Sequence, residues 1–198
     1  MSTSTKKNHY GNLSPEFAVL GLLYGGPMHG YDLHHKLVTD LGQVWHLSQS
    51  QAYAILKRLE MHGEIKSEIV AQEKLPARQL LSLTSGGRRH FSSWLQTPAG
   101  GSIRAIRMEF LTRLYFTRLY EPGNIGKLFA IQYQEVGKHI LRLTGTLQDL
   151  PSDQLINRMS LEMRIRQLNL VLDWLEDCRK LFGIEKLTQP TPGTGDLP

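Results

Sequence analysis

After Gly63 the apolar residues of this chain change their spacing, and this change of period restricts the fold more than any other feature of the sequence. Upstream, apolar residues recur every three or four positions, the spacing of helices that bury one face. Downstream, Ile65-Lys66-Ser67-Glu68-Ile69 and Arg78-Gln79-Leu80-Leu81-Ser82-Leu83 are short strand-like runs joined by a polar loop from Ala71 to Ala77. Helical spacing then returns at Thr84, which caps a segment carrying Arg88, Arg89, Phe91, Trp94 and Leu95.

The upstream region divides into three helical segments. Ser14-Pro15-Glu16 supplies an N-cap, a proline at the first helical position and an acid in the first turn. The helix it starts carries Phe17, Ala18, Val19, Leu20, Leu22 and Leu23, apolar nearly all round, and must be buried on more than one side. Gly25-Gly26-Pro27 ends it. A second helix is expected from about Gly30 to Leu41, with Tyr31, Leu33, Leu37, Val38 and Leu41 buried. The third, from Ser48 to His62, opens with an S-x-x-Q capping box formed by Ser48 and Gln51. Ala52, Ile55, Leu56 and Leu59 fall on its apolar side; Ser50, Tyr53, Ala54 and Lys57 fall opposite, with Gln51 and Arg58 at the edge. Three helices, a hairpin and a helix is the order of a winged helix-turn-helix domain, whose third helix enters the major groove of DNA.

That order assigns candidate roles. Ser48, Ser50, Gln51 and Tyr53, near the N-terminus of the third helix, are placed to bond phosphates and base edges, while Lys57 and Arg58 add charge. Lys66, Lys74 and Arg78 on the wing would follow the flanking backbone and contribute affinity more than discrimination. Ala54 lacks bulk and permits close approach to a groove. The formal net charge of +5 and pI near 9.4 favour an anionic partner. The competing reading is a protein-docking module without specific DNA binding; such a surface would carry exposed aromatics or Met, whereas this face sets Ser, Lys and Arg around a single tyrosine.

The run LSPEFAVLGLLYGGPMHGYDL, then LGQVW, SQSQAYAILKRLEMHGEI, ARQLLSLTSGG and SSWL resembles the PadR family of bacterial transcriptional regulators. Gly26 to Tyr31 matches its G-P-x-H-G-Y turn, Tyr53 to Leu59 its Y-x-x-L-K-R-L segment, and Leu83 to Gly87 its L-T-x-x-G. Ala54 stands where the family commonly has proline, and Leu80-Leu81 where it has a tyrosine. The resemblance implies a DNA-binding regulator, often a repressor relieved by small aromatic molecules.

Pro98-Ala99-Gly100-Gly101-Ser102 is the expected hinge to a second domain. Beyond it, Ile103, Ile106, Phe110 and Leu114 line one helix, stopped by Glu121-Pro122-Gly123. Ile125, Phe129, Tyr133, Val136, Ile140, Leu143, Leu147 and Leu150 form a coiled-coil-like seam on a long helix. The last helix has two apolar stripes, one through Leu161, Ile165, Leu168, Leu172 and Leu175, the other through Met163, Leu170, Val171, Trp174 and Leu181. RMEFLTRLYF and LVLDWLEDC resemble the helical C-terminal domain of the longer PadR subfamily, which implies a homodimer and a pseudo-palindromic operator. Phe110, Tyr115 and Trp174 are candidates for an aromatic effector site near the hinge. The expected organisation is a flexible arm over 1–12, a winged domain over 13–97, a helical dimerisation and effector domain over 103–186, and a disordered tail over 187–198: a mainly α fold with a two-stranded wing.

Several classes are excluded. Cys178 is the only cysteine, which rules out an intramolecular disulfide and a cysteine-built zinc site and suits a reducing cytoplasm. The N-terminal residues show no signal-peptide pattern, and no run of eighteen apolar residues occurs, so no membrane partner is expected. Neither H-E-x-x-H nor a Walker, dinucleotide or G-x-S-x-G motif is present; no enzyme activity, metal or cofactor is expected.

Overall fold

The computed structural model describes residues 14–70 and 78–184, which divide into two compact units, the first ending at Leu128 and the second beginning at Phe129. In the first unit the chain runs through α1 (Glu16–Tyr24), β1 (Met28–His29), α2 (Gly30–Leu41), α3 (Gln49–Met61), β2 (Ile65–Val70), β3 (Arg78–Leu83) and α4 (Ser85–Leu95). These follow the expected order of a winged helix-turn-helix. Then come α5 (Ile103–Ala105), a π turn (Ile106–Phe110), α6 (Leu111–Tyr120) and a 3₁₀ turn (Pro122–Asn124). The long helix α7 (Ile125–Asp149) crosses into the second unit, which α8 (Leu155–Leu181) completes.

Helix α1 is the centre of the first unit. Every residue from Glu16 to Leu23 is buried, and the helix packs against α2, α3, α4 and β3. This fulfils the expectation drawn from its all-round apolar surface. Its start differs: Pro15, in a helical conformation, occupies the N-cap with no side-chain cap, and its carbonyl accepts from the N–H groups of Ala18 and Val19. Ser14 therefore does not cap. On α2 the buried positions are Leu33, Leu37 and Leu41, one line at i, i+4 and i+8. Tyr31 is 64% and Val38 48% exposed, contrary to expectation, because that narrow line is all the helix presents to α1 and α3.

The change of period at Gly63 has a structural cause. Gly63, with φ of 68°, ends α3 in a Schellman arrangement: its N–H donates to Glu60 O and that of Glu64 to Leu59 O, each at 2.9 Å. The chain then leaves as β2, antiparallel to β3, with Ile65 opposite Leu83 and Ser67 opposite Leu81. A short strand, β1, adds to the other side of β3, giving the order β1-β3-β2. The expected wing had two strands; Met28 and His29 are too short a run to announce a third.

Beyond the expected hinge at 98–102 the chain does not leave the first unit. Phe116 of α6 lies in the same core as α1, and the Tyr120 hydroxyl donates to Gly21 O at 2.8 Å. Gly21 is small for a reason: a Cβ there would meet the Phe116 ring at 2.3 Å. Trp45, on the α2–α3 connection, donates from Nε1 to Thr112 Oγ1 at 2.8 Å, and that hydroxyl donates to Met108 O at 2.6 Å. Arg113, 2% exposed, pairs with Glu109 at 2.9 Å and donates from Nε to Trp94 O at 3.2 Å. The expected boundary thus falls inside a packed unit that extends to Leu128.

In the second unit the later part of α7 and α8 run antiparallel. Phe129 and Phe182 lie 5.8 Å apart at one end, and Arg158 donates to Leu147 O and Leu150 O, at 3.2 and 2.9 Å, at the other. Val136 and Leu143 of α7 and Leu168 and Leu175 of α8 are buried. The second stripe of α8 is not: Met163, Leu170, Trp174 and Leu181 are exposed, as are Ile156 and Met159.

Candidate nucleic-acid interface

The start of α3 is fixed by both halves of the capping box. Ser48, extended at φ −68° and ψ 159°, accepts from the Gln51 N–H at 3.2 Å, and its own N–H donates to Gln51 Oε1 at 2.9 Å. Ala52, Ile55, Leu56 and Leu59 hold the helix to the core. Ser48, Ser50, Gln51, Tyr53, Ala54 and Lys57 are exposed together on the outer side. One stretch of helix thus combines a defined N-terminus, hydroxyls, an amide, a phenol and an ammonium group.

A groove of about 810 Å³ runs along this face, lined by His29, Tyr31, Asp32, Tyr53, Lys57, Glu60 and Gln79 among others. Gly30 shapes it: the Tyr53 ring lies where a Cβ on Gly30 would meet it at 3.0 Å, so the start of α2 and the middle of α3 approach closely. His29 Nδ1 donates to Gln79 O at 3.0 Å, tying β1 to β3 at the groove floor. Glu60 accepts from the Ser67 hydroxyl and links the end of α3 to β2. Tyr31, His29 and Gln79 were not among the sequence-derived site residues. The G-P-x-H-G-Y turn that carries two of them is visible in the sequence, but helical spacing assigns Tyr31 to the core.

Two of the candidate cations have acidic neighbours. Arg58 bends toward α1 and pairs with Glu16 at 2.6 Å; Glu16 is 3% exposed, and its other oxygen is buried with no hydrogen-bond partner among the described residues. Arg58 therefore compensates a buried charge as well as lying beside the outer face. Lys66 on β2 pairs with Glu68 at 2.5 Å, and that hydrogen bond holds the Glu68 carboxyl below its ordinary range. Arg78 stands at the start of β3 opposite Val70, while Lys74 lies outside the described residues. Lys57 is the α3 cation that faces the groove.

The effector candidates are not alike. Phe110 ends the π turn and is fully buried. Tyr115 donates to Asp40 Oδ2 at 2.5 Å, and Lys36 contacts the same carboxylate at 2.8 Å, so its hydroxyl serves a link between α6 and α2. Burial first, and then this hydrogen bond, push the Tyr115 hydroxyl well above the ordinary tyrosine range. Trp174 belongs to the second unit and is 38% exposed on α8. Among the described residues no three His, Cys, Asp or Glu side chains are grouped to hold a metal ion. No helix among them is long and apolar enough to cross a membrane.

Residues 19–93 match the model of the transcriptional regulator PadR-like family. The chain is 28% identical over 137 residues to the negative transcriptional regulator PadR of Bacillus subtilis, a match covering 68% of this chain and 74% of that protein. Among solved structures it is similar to Bacillus subtilis PadR in complex with operator DNA, at 24% identity, 84% and 96% coverage of the two chains and a TM-score of 0.40. The same regulator in complex with p-coumaric acid matches at 24% identity, 86% and 96% coverage and a TM-score of 0.38. The winged unit, its capped third helix and the match to the model of the transcriptional regulator PadR-like family thus fall on one stretch of the chain.

Proposed function

We propose that this regulator acts as a cytoplasmic homodimeric repressor that reads a pseudo-palindromic operator by laying α3 in the major groove. The observation that carries the reading is the outer face of α3. A capped helix N-terminus exposes Ser48, Ser50, Gln51, Tyr53 and Lys57 together, next to an antiparallel wing bearing Lys66 and Arg78. Hydroxyl, amide and ammonium groups bond phosphates and base edges, and the helix N-terminus favours phosphate. The name of the Bacillus subtilis relative supports a negative sign of regulation.

The exposed stripe of α8, through Ile156, Met159, Met163, Leu170, Trp174 and Leu181, supports self-association, since apolar side chains at helical spacing are costly to leave in water. Two copies then present two reading helices about 34 Å apart, one turn of DNA. A small aromatic effector, engaging Phe110, Tyr115 or Trp174, would shift the operator-bound population by binding one arrangement of the dimer better than the other.

The test is selection of bound duplexes from a random pool, followed by titration of the winner at two salt concentrations with and without a panel of aromatic carboxylic acids. The expected result is an inverted repeat bound about 10³-fold above scrambled DNA. Tyr53→Ala with Lys57→Ala weakens that binding at least about tenfold while sedimentation still reports a dimer. Weak, salt-sensitive binding with no enriched sequence would instead favour the docking-module reading.

A further inference from the structure

The box that caps α3 also decides what the first turn of that helix can offer a base pair. Ser48 N–H can only donate, so the Gln51 atom facing it at 2.9 Å is the carbonyl oxygen, Oε1. The bond from Gln51 N–H to Ser48 Oγ at 3.2 Å closes the box from the other side. With the oxygen turned back onto the backbone, the exposed amide points its Nε2–H₂ group outward. A glutamine that reads adenine needs both ends of its amide, Nε2 donating to N7 while Oε1 accepts from N6. A capped glutamine has only the donating end free. Guanine, with acceptors at both N7 and O6, fits that end; cytosine, which offers a donor, does not.

We infer that Gln51 is a donor-only specificity residue that selects guanine on the base pair facing the first turn of α3. The inference rests on the reading of α3 as the groove-entering helix. It makes the capping box part of recognition: the contact that starts the helix also sets the polarity of the reading group.

The experiment compares the full-length protein with Gln51→Glu. Glutamate also serves in a capping box, so the helix start is kept, but its outward edge accepts only and suits the cytosine N4 donor. Each protein is used to select duplexes from the same random pool, and the thermal midpoint of each is measured. The expected result is one position per half-site that changes from guanine to cytosine on the same strand, with unchanged thermal midpoint. Replacing that guanine by adenine weakens the wild-type protein by about fivefold or more. Adenine at that position for the wild type, or identical preferences for the two proteins at every position, overturns the inference while leaving α3 as the reading helix. A wild-type pool that enriches no sequence overturns the reading of α3 and this inference together.

Discussion

Replacing Arg113 by methionine tests how much a buried ion pair within the π turn and α6, bonded in turn to the end of α4, contributes to the stability of the first unit. The Arg113 and Glu109 side chains are 3% and 11% exposed and meet at 2.9 Å. The guanidinium also donates to Trp94 O at 3.2 Å and to Thr97 Oγ1 at 3.4 Å, and sits 4.2 Å from the Trp94 ring centroid. Burial lowers the Arg113 pKa while Glu109 opposes that shift, but an arginine stays charged throughout the usable pH range. Methionine keeps much of the volume and removes the charge, so Glu109 is left as a buried carboxylate without its partner. Breaking such a pair from one side costs about 3–5 kcal/mol. At about 2–4 °C per kcal/mol for a chain of this size, the thermal midpoint should fall by roughly 6–20 °C. The lost bond to Trp94 O is part of the same network and is not added separately. The double variant Arg113→Met with Glu109→Leu removes both charges and should recover most of the loss, because a buried pair exchanged for apolar packing is often neutral or stabilising. Urea unfolding followed by circular dichroism measures both. A single variant within about 1 kcal/mol of wild type, or a double variant no more stable than the single one, would refute the reasoning.

Gly21→Ala places a Cβ 2.3 Å from the Phe116 ring and should destabilise by about 1–3 kcal/mol in the same urea assay, with Phe116→Leu partly restoring stability by making room. Asp40 is held below the ordinary carboxylate range first by its hydrogen bond from Lys36 and then by that from Tyr115. Its folded pKa is depressed, so its contribution is present above the unfolded value of about 3.9 and is lost as pH falls through the folded one. Asp40→Asn should remove that part of the acid-side loss, about 1 kcal/mol or less given its partial exposure, while leaving the pH dependence between neutral pH and 5 as in the wild type. Burial, and then Arg142 and Arg164, hold the His139 imidazole below its usual range. Again the folded pKa is the lower one. Stability should decline as pH falls from about 6.5 toward it, and His139→Gln should flatten that slope in a pH series of thermal midpoints.

Local chemistry was legible in the sequence wherever neighbours along the chain decide it. The capping box needs only Ser48 and Gln51 three residues apart, the buried face of α3 only its 3.6-residue spacing, and the existence of β2 and β3 only two short strand-like runs. The membership of α1 in a core on several sides followed from its all-round apolar surface. What tertiary structure alone decided depends on partners far away in sequence. Pro98 to Ser102 carries the composition of a hinge, yet α6 packs back because Phe116 fills the space left by Gly21 and Trp45 finds Thr112. No local pattern encodes a contact across 67 residues. For the same reason Tyr31 reads as core but stands in the groove, and Arg58 reads as a free cation but answers the buried charge of Glu16. A sequence states which face of a helix is apolar; which polar groups meet across the fold is settled only when the packed chain brings them within hydrogen-bond distance.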